Sequence, residues 1–219
     1  MNMSELPLPE LCALTVAVVA IFMLGSRHLR VTLLMYAVQT SIISVSIMVF
    51  GIQRHDEHLY LLAILFFLFK GLGVPVFLSH VIRKVGVGTD PGTGITAPIS
   101  MHLSVVLFGA SFILARQLPV HPNTGSGCMA ATAAISLVCS GMLVMLTRRI
   151  ALNQIIGFLI MENGIFLFGL TQTIGMPMLV EMGILLDVLV GVMVTGLIAF
   201  RIQKSFEHID TTRLAELKD

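Results

Sequence analysis

Seven apolar stretches, separated by short polar segments, follow one another along the chain. Each is close to the ~20 residues that an α-helix needs to cross the hydrocarbon core of a bilayer. The pattern therefore predicts an all-α, polytopic membrane protein with seven transmembrane helices. The predicted spans are about 8–25, 31–51, 59–82, 98–115, 126–147, 151–172 and 177–200.

Lysine and arginine are divided unevenly between the two ends of these spans. Ten lie on one side of the predicted membrane and only Arg54 and Arg116 on the other, with Lys70 inside a span. Because cytoplasmic loops carry the excess of basic residues, we expect the amino terminus outside and the carboxyl terminus in the cytoplasm. The ten are Arg27, Arg30, Arg83, Lys84, Arg148, Arg149, Arg201, Lys204, Arg213 and Lys218.

Composition narrows the class of protein. The chain is 56% hydrophobic and 11% charged, with a mean hydropathy of +0.96, so a soluble fold would leave apolar surface that nothing buries. A net charge of only +1 makes nucleic acid an unexpected partner. Cys12, Cys128 and Cys139 form no CxxC pair and have no nearby histidine set, so we expect neither a metal site nor a cofactor in this chain.

The spans fall into three predicted regions. Residues 1–84 are expected to form a three-span bundle, and residues 126–219 a second three-span module with a cytoplasmic amphipathic tail. Residues 85–125 would supply a cytoplasmic loop, a linking fourth span and an outer loop. The glycine-rich stretch 85–98 has no strand before it and no Lys-Ser or Lys-Thr after it, so a flexible connector is favoured over a phosphate-binding loop.

Three ionisable side chains, Lys70, Glu162 and Asp187, lie deep inside predicted spans. Each is 13 or 14 residues from a basic residue that ends its span, namely Arg83, Arg149 and Arg201, respectively. At about 1.5 Å of rise per residue, this spacing puts all three roughly 20 Å from one membrane face, near the middle of the bilayer. The common depth indicates a lateral polar path.

Two interpretations of these three groups compete. A charge at the centre of a span costs roughly 2.5–3.5 kcal/mol or more if it faces lipid, so all three should face protein or trapped water. Lys70 could form a structural ion pair with Glu162 or Asp187 that pins helices together. Alternatively, the two carboxylates could exchange protons through water while Lys70 biases their charge. The second interpretation, a proton relay, is favoured.

Other polar residues are candidates for the ends of such a path. Gln154 shares a helix face with Glu162 and would hold water on its cytoplasmic side, whereas Glu181 either reaches the headgroups or forms the outer end of the path. His80 and His102 lie within about a turn of the cytoplasmic surface, where histidines are solvated or admit protons. Pro75, preceded by two nearby glycines, would free backbone carbonyls near Lys70.

Several strings resemble the hydrogenase-4 component E family, membrane subunits of group 4 [NiFe]-hydrogenase and formate hydrogenlyase complexes. They are IIGFLIMENGIFLFG at 155–169, LVEMGILLDVLVGVMV at 179–194, KGLGVP from Lys70 to Pro75, and HIDTTRLAELK in the tail. From about residue 126 the chain is also similar to the K-type subunit of respiratory complex I and the C subunit of multisubunit cation/proton antiporters. Asp187 matches the third-span glutamate of those families, whereas their second-span glutamate falls at Leu159, one turn before Glu162.

The resemblance implies a subunit of the cell inner membrane that is not an enzyme by itself. Its implied partners are antiporter-like and H-type membrane subunits and a peripheral hydrogenase arm that carries the [NiFe] and iron–sulfur centres. Its implied function is part of a midplane proton-translocation path. The alternatives are a structural adaptor without proton transfer, a stand-alone transporter, and a component of a multisubunit cation/proton antiporter or complex I-like enzyme. The carboxylates alone do not distinguish H⁺ from Na⁺.

Overall fold

A computed structural model describes residues 8–55, 57–85, 89, 95–118 and 128–172. This part of the chain is helical and contains no β-strand. Its elements are α1 Leu8–Gly25, α2 Leu29–Arg54, α3 Glu57–Phe66, a π-helical segment Phe67–Gly73, α4 Val74–Val85, α5 Ala97–Ala115, α6 Cys128–Thr147 and α7 Ala151–Gln172.

Within the described residues, six helices are long and apolar enough to cross a membrane. The third is continuous from α3 through the π-helical segment into α4, and it spans Glu57–Lys84 over 28 residues. These six helices confirm the first six predicted spans as helices. The seventh predicted span, residues 177–200, lies outside the described residues.

The π-helical segment surrounds Lys70 and ends just before Pro75. A proline has no N–H, and its ring clashes with the carbonyl four residues earlier in a regular α-helix. The wider turn bonds the N–H of Val74 to the carbonyl of Phe69 instead. The sequence predicted an irregularity near the proline; in the structure it is centred on the lysine. Such π-helical insertions are frequent at functional sites.

Helices α6 and α7 pack closely because glycines face each other across their interface. A Cβ atom added at Gly141 would lie 2.5 Å from the backbone N of Met161 and 2.6 Å from the carbonyl O of Gly157. One added at Gly164 would lie 2.8 Å from the carbonyl O of Ala134. Small residues of this kind let the backbones of membrane helices approach each other. The contact fixes the position of α7, which carries Glu162.

Polar contacts bring the basic ends of several helices together. The guanidinium of Arg148, at the end of α6, donates to the carbonyl oxygens of Leu24 at 2.8 Å and Ser26 at 2.7 Å, at the end of α1. Thr89, beyond α4, contacts the Nδ1 atom of His28, at the start of α2, at 3.1 Å. These contacts put the basic residues near positions 27–30, 83–84 and 148–149 at one end of the bundle, as the charge pattern predicted.

Candidate functional site

Lys70 and Glu162 form a direct ion pair inside the bundle. The Nζ atom of Lys70 is 2.8 Å from Oε1 of Glu162, and each side chain is only 4% exposed. Lys70 comes from the π-helical segment and Glu162 from the middle of α7. Because a paired charge avoids most of the cost that an isolated charge would carry in the membrane, this contact explains how both side chains are tolerated there.

An aromatic pair lies next to the ion pair. Phe66 precedes Lys70 by four residues and Phe166 follows Glu162 by four, and their ring centroids are 4.6 Å apart. The Nζ atom of Lys70 lies 5.4 Å from the centroid of Phe66, within the range of a cation–π interaction. Both rings lie toward the end of the bundle opposite the basic residues. They form an apolar boundary on that side of the charges.

Helix α2 supplies polar groups that contact α7 at the residue after Glu162. Asn163, the residue after Glu162, donates from Nδ2 to Oγ1 of Thr40 at 3.1 Å, and that hydroxyl donates to the carbonyl O of Tyr36 at 2.9 Å. Gln39, beside Thr40, donates from Nε2 to the carbonyl O of Val16 in α1 at 3.3 Å. These buried polar groups extend from α7, one residue after Glu162, through α2 to α1.

Some acceptors in this region have no hydrogen-bond partner among the described residues. They include Oδ1 of Asn163 and Oε1 of Gln39, and both side chains are fully buried. Buried polar atoms in folded proteins are almost always hydrogen-bonded, to protein or to ordered water. These two oxygens are therefore positions where water is expected to bind, as a hydrogen-bonded path through the bundle requires.

The other predicted site residues that the structure describes are all exposed. Gln154 is exposed, and its Nε2 donates to the carbonyl O of Arg148 at 3.1 Å, so its visible contact is with the α6–α7 turn. His80 is exposed on α4. His102 is exposed on α5, with Nδ1 2.7 Å from the carbonyl O of Pro98. Asp187 and Glu181 lie outside the described residues, so their predicted roles stay predictions.

The structure also identifies buried polar residues that the sequence analysis did not select. Asn163, Thr40 and Gln39 are uncharged, and amides and hydroxyls are common enough in membrane helices that none stood out alone. A usable signal was present for α2, since Thr32, Gln39 and Ser46 recur at intervals of seven residues. Such spacing puts side chains on one helix face. Arg148 was counted as a loop charge but is buried.

No metal-binding cluster of three or more His, Cys, Asp or Glu side chains occurs among the residues that the structure describes. The three cysteines are free thiols in separate positions on α1 and α6. The described site itself presents an ammonium group and a carboxylate, which are groups that can hold charge inside a membrane.

The chain is distantly similar to known proteins over nearly its whole length. An uncharacterised protein of Mycobacterium tuberculosis is 28% identical over 200 residues, which cover 91% of each chain. Hydrogenase-4 component E of Escherichia coli and that of Shigella flexneri are each 27% identical over 203 residues, or 91% of this chain and 92% of theirs. No family model and no solved structure matches the chain.

Proposed function

We propose that this protein is a non-catalytic membrane subunit of a group 4 [NiFe]-hydrogenase complex, in which it contributes to a midplane proton-translocation path. The distant similarity to hydrogenase-4 component E suggests membership of a hydrogenase complex. The proposed partners are antiporter-like and H-type membrane subunits and a peripheral arm that carries the [NiFe] and iron–sulfur centres. The chain would lie in the inner membrane.

The buried ion pair of Lys70 and Glu162 is the observation that carries this proposal. Ionisable groups inside a membrane are costly, and those that persist commonly belong to ion or proton pathways. Asn163, which follows Glu162 on α7, bonds to Thr40, and its oxygen, which has no partner among the described residues, offers a position for water. A proton reaching Glu162 would weaken its attraction to Lys70, so protonation and helix contact are coupled.

The proposal includes a seventh membrane span, with the amino terminus outside and the carboxyl terminus in the cytoplasm. A cytoplasm-active reporter fused after Lys218 should be active, whereas the same reporter inserted after Gln117 in the predicted outer loop should be silent. Activity after Gln117, or a silent carboxyl-terminal fusion, would contradict the proposed orientation. The measurement needs only intact cells.

Charge neutralisation at Glu162 tests the proton path. In the assembled complex, Glu162→Gln keeps the side-chain shape and, unlike leucine, an oxygen that can accept a hydrogen bond from Lys70, but it removes the proton-exchanging group. We expect proton movement driven by electron transfer to fall by at least tenfold, on the scale typical of losing a proton-transfer group, while uncoupled electron transfer persists. Proton uptake into membrane vesicles, followed with a pH-sensitive dye, measures the first quantity, and hydrogen production with a soluble electron donor measures the second.

Glu57→Gln provides a matched control, because Glu57 is an exposed carboxylate in the first turn of α3. It should leave both proton movement and electron transfer unchanged. Normal proton movement in Glu162→Gln, with the complex fully assembled, would refute the proposed path.

The second candidate function is that of a structural adaptor. The ion pair of Lys70 and Glu162 supports this function as well. A short, fully buried Lys70–Glu162 pair also serves to hold the π-helical segment against α7. As an adaptor, the chain would join antiporter-like subunits to the rest of the complex without exchanging protons. The same module could serve a multisubunit cation/proton antiporter or a complex I-like enzyme, and purification of the intact assembly distinguishes these by its other subunits.

A further inference from the structure

A groove between α2 and α4 opens on the side of the helix bundle, and two arginines lie at its mouth. Its volume is about 420 Å³, and its walls include Arg30, Arg83, Ser79, Leu34 and Pro75. Arg30 is in the first turn of α2 and Arg83 in the last turn of α4. The two helices run in opposite directions, so both arginines lie at the basic end of the bundle, at the level of the lipid headgroups.

The groove continues toward the middle of the membrane. A second cavity of about 440 Å³ is lined by Ala37, which also lines the first, and by Val45, Phe67 and Leu72. Pro75 precedes Arg83 by eight residues, which corresponds to about 12 Å along a helix. The arginines are therefore followed by mainly apolar walls over about 12 Å as far as Pro75, which is long enough for part of an acyl chain and exceeds the size of a free phosphate ion.

The guanidinium groups at the mouth belong to exposed side chains. Arg30 and Arg83 are both exposed, and neither forms an ion pair with a carboxylate in the described part of the chain. Among the described residues, Arg83 bonds within its own helix, with Nε 3.4 Å from the carbonyl O of Ser79 and a terminal nitrogen 3.5 Å from the Ser79 hydroxyl. Guanidinium groups bind phosphate through paired hydrogen bonds, and the Ser79 hydroxyl adds a further polar contact at the mouth.

We propose that this groove binds an anionic phospholipid, with its phosphate between Arg30 and Arg83 and one acyl chain along α2 toward Phe67. The two positive charges at the mouth favour an anionic headgroup over a zwitterionic one, and the mainly apolar walls favour a lipid over a soluble anion. The site is distinct from the buried Lys70–Glu162 pair. The chain end of the lipid lies against the π-helical segment that carries Lys70, through Phe67 and Leu72.

Native mass spectrometry of the detergent-solubilised complex tests this site, with phosphatidylglycerol and phosphatidylcholine as the added lipids. The wild-type chain should retain phosphatidylglycerol preferentially. The double variant Arg30→Gln with Arg83→Gln should bind phosphatidylglycerol about 30-fold more weakly, which corresponds to about 1 kcal/mol for each basic residue. Its binding of phosphatidylcholine should change little.

Lys84→Gln is the matched control for the single variant Arg83→Gln, because each removes one charge and Lys84 is exposed, adjacent to Arg83 and outside the groove. Lys84→Gln should retain phosphatidylglycerol like the wild type, whereas Arg83→Gln should bind it more weakly. Equal losses in these two single variants would mean that general surface charge attracts the lipid, and would overturn the site. Because all these positions are exposed, the variants should fold, and recovery of the intact complex checks this.

The acyl chain has its own test. Ala37→Phe fills the junction of the two cavities but leaves both arginines, and should weaken phosphatidylglycerol binding at least tenfold. Inorganic phosphate at millimolar concentration should not compete with the lipid. Unchanged binding in Ala37→Phe would show that the acyl chain does not lie along α2, and full competition by phosphate would identify a soluble-anion site; either result would refute the lipid site. Failure of the wild type to retain phosphatidylglycerol in preference to phosphatidylcholine would also refute the site.

Discussion

Replacing Glu162 with leucine while Lys70 is retained should destabilise the bundle by about 3–5 kcal/mol, because it leaves a buried ammonium group without its carboxylate. Lys70→Met should be similarly damaging, since it leaves the carboxylate buried without its cation. Both side chains are almost completely shielded, so neither remaining charge can reach water without separating helices. The temperature at which the purified complex loses this subunit is the appropriate measurement.

The double variant Lys70→Met with Glu162→Leu should recover most of the stability lost by either single change. Apolar residues of similar volume then occupy a protein interior and have no charge to desolvate, and such replacements are often neutral or stabilising. The double variant should assemble but transport no protons if the proposed path is correct. If the double variant assembles and still transports protons fully, the ion pair has only a structural role. If the double variant is no more stable than the single variants, the two charges have further essential contacts.

Gly141→Ala is expected to have the second large effect on stability. The new methyl group would meet the backbone of Met161 and Gly157 at 2.5 and 2.6 Å, where no flexible side chain can move aside. Helices α6 and α7 would have to separate, at a cost of about 1–3 kcal/mol. The thermal midpoint of unfolding in detergent should fall, and the Lys70–Glu162 contact should loosen because α7 carries the glutamate.

The same substitution at Gly109 is the control. A Cβ atom there meets nothing within 4 Å, so Gly109→Ala adds the same methyl group without a clash. It should be neutral or stabilising by up to about 1 kcal/mol, because alanine favours helix more than glycine does. Equal midpoints for the two variants would show that the α6–α7 contact is looser than the structure indicates.

Most of the fold within the described residues was predictable from the sequence, and the reason is physical. A long apolar segment in a bilayer has no water to satisfy its backbone, so it must be helical. The six described membrane-length helices follow the predicted bounds closely, and the basic residues gather at one end as expected. Span seven, Asp187 and Glu181 lie outside the described residues, so the predictions made for them stand as predictions.

The candidate site was predictable only in part. Depth along the membrane follows from counting residues, which is why Lys70 and Glu162 were correctly expected to lie at a common level. Counting does not give the rotation of a helix or the identity of its neighbour. Gln154 illustrates the limit, since its position on the same helical face as Glu162 follows from the sequence, whereas its bond to the carbonyl of Arg148 does not.

The sequence by itself determined that this chain forms membrane-length helices and that it buries charges near their centres. Only the tertiary structure decided that Lys70 pairs with Glu162, that the helix widens around the lysine, and that Asn163 meets Thr40 on a different helix. The difference arises because helix formation depends on local hydrogen bonds and the surrounding lipid. Partner choice depends instead on how glycines and bulky side chains on separate helices fit together.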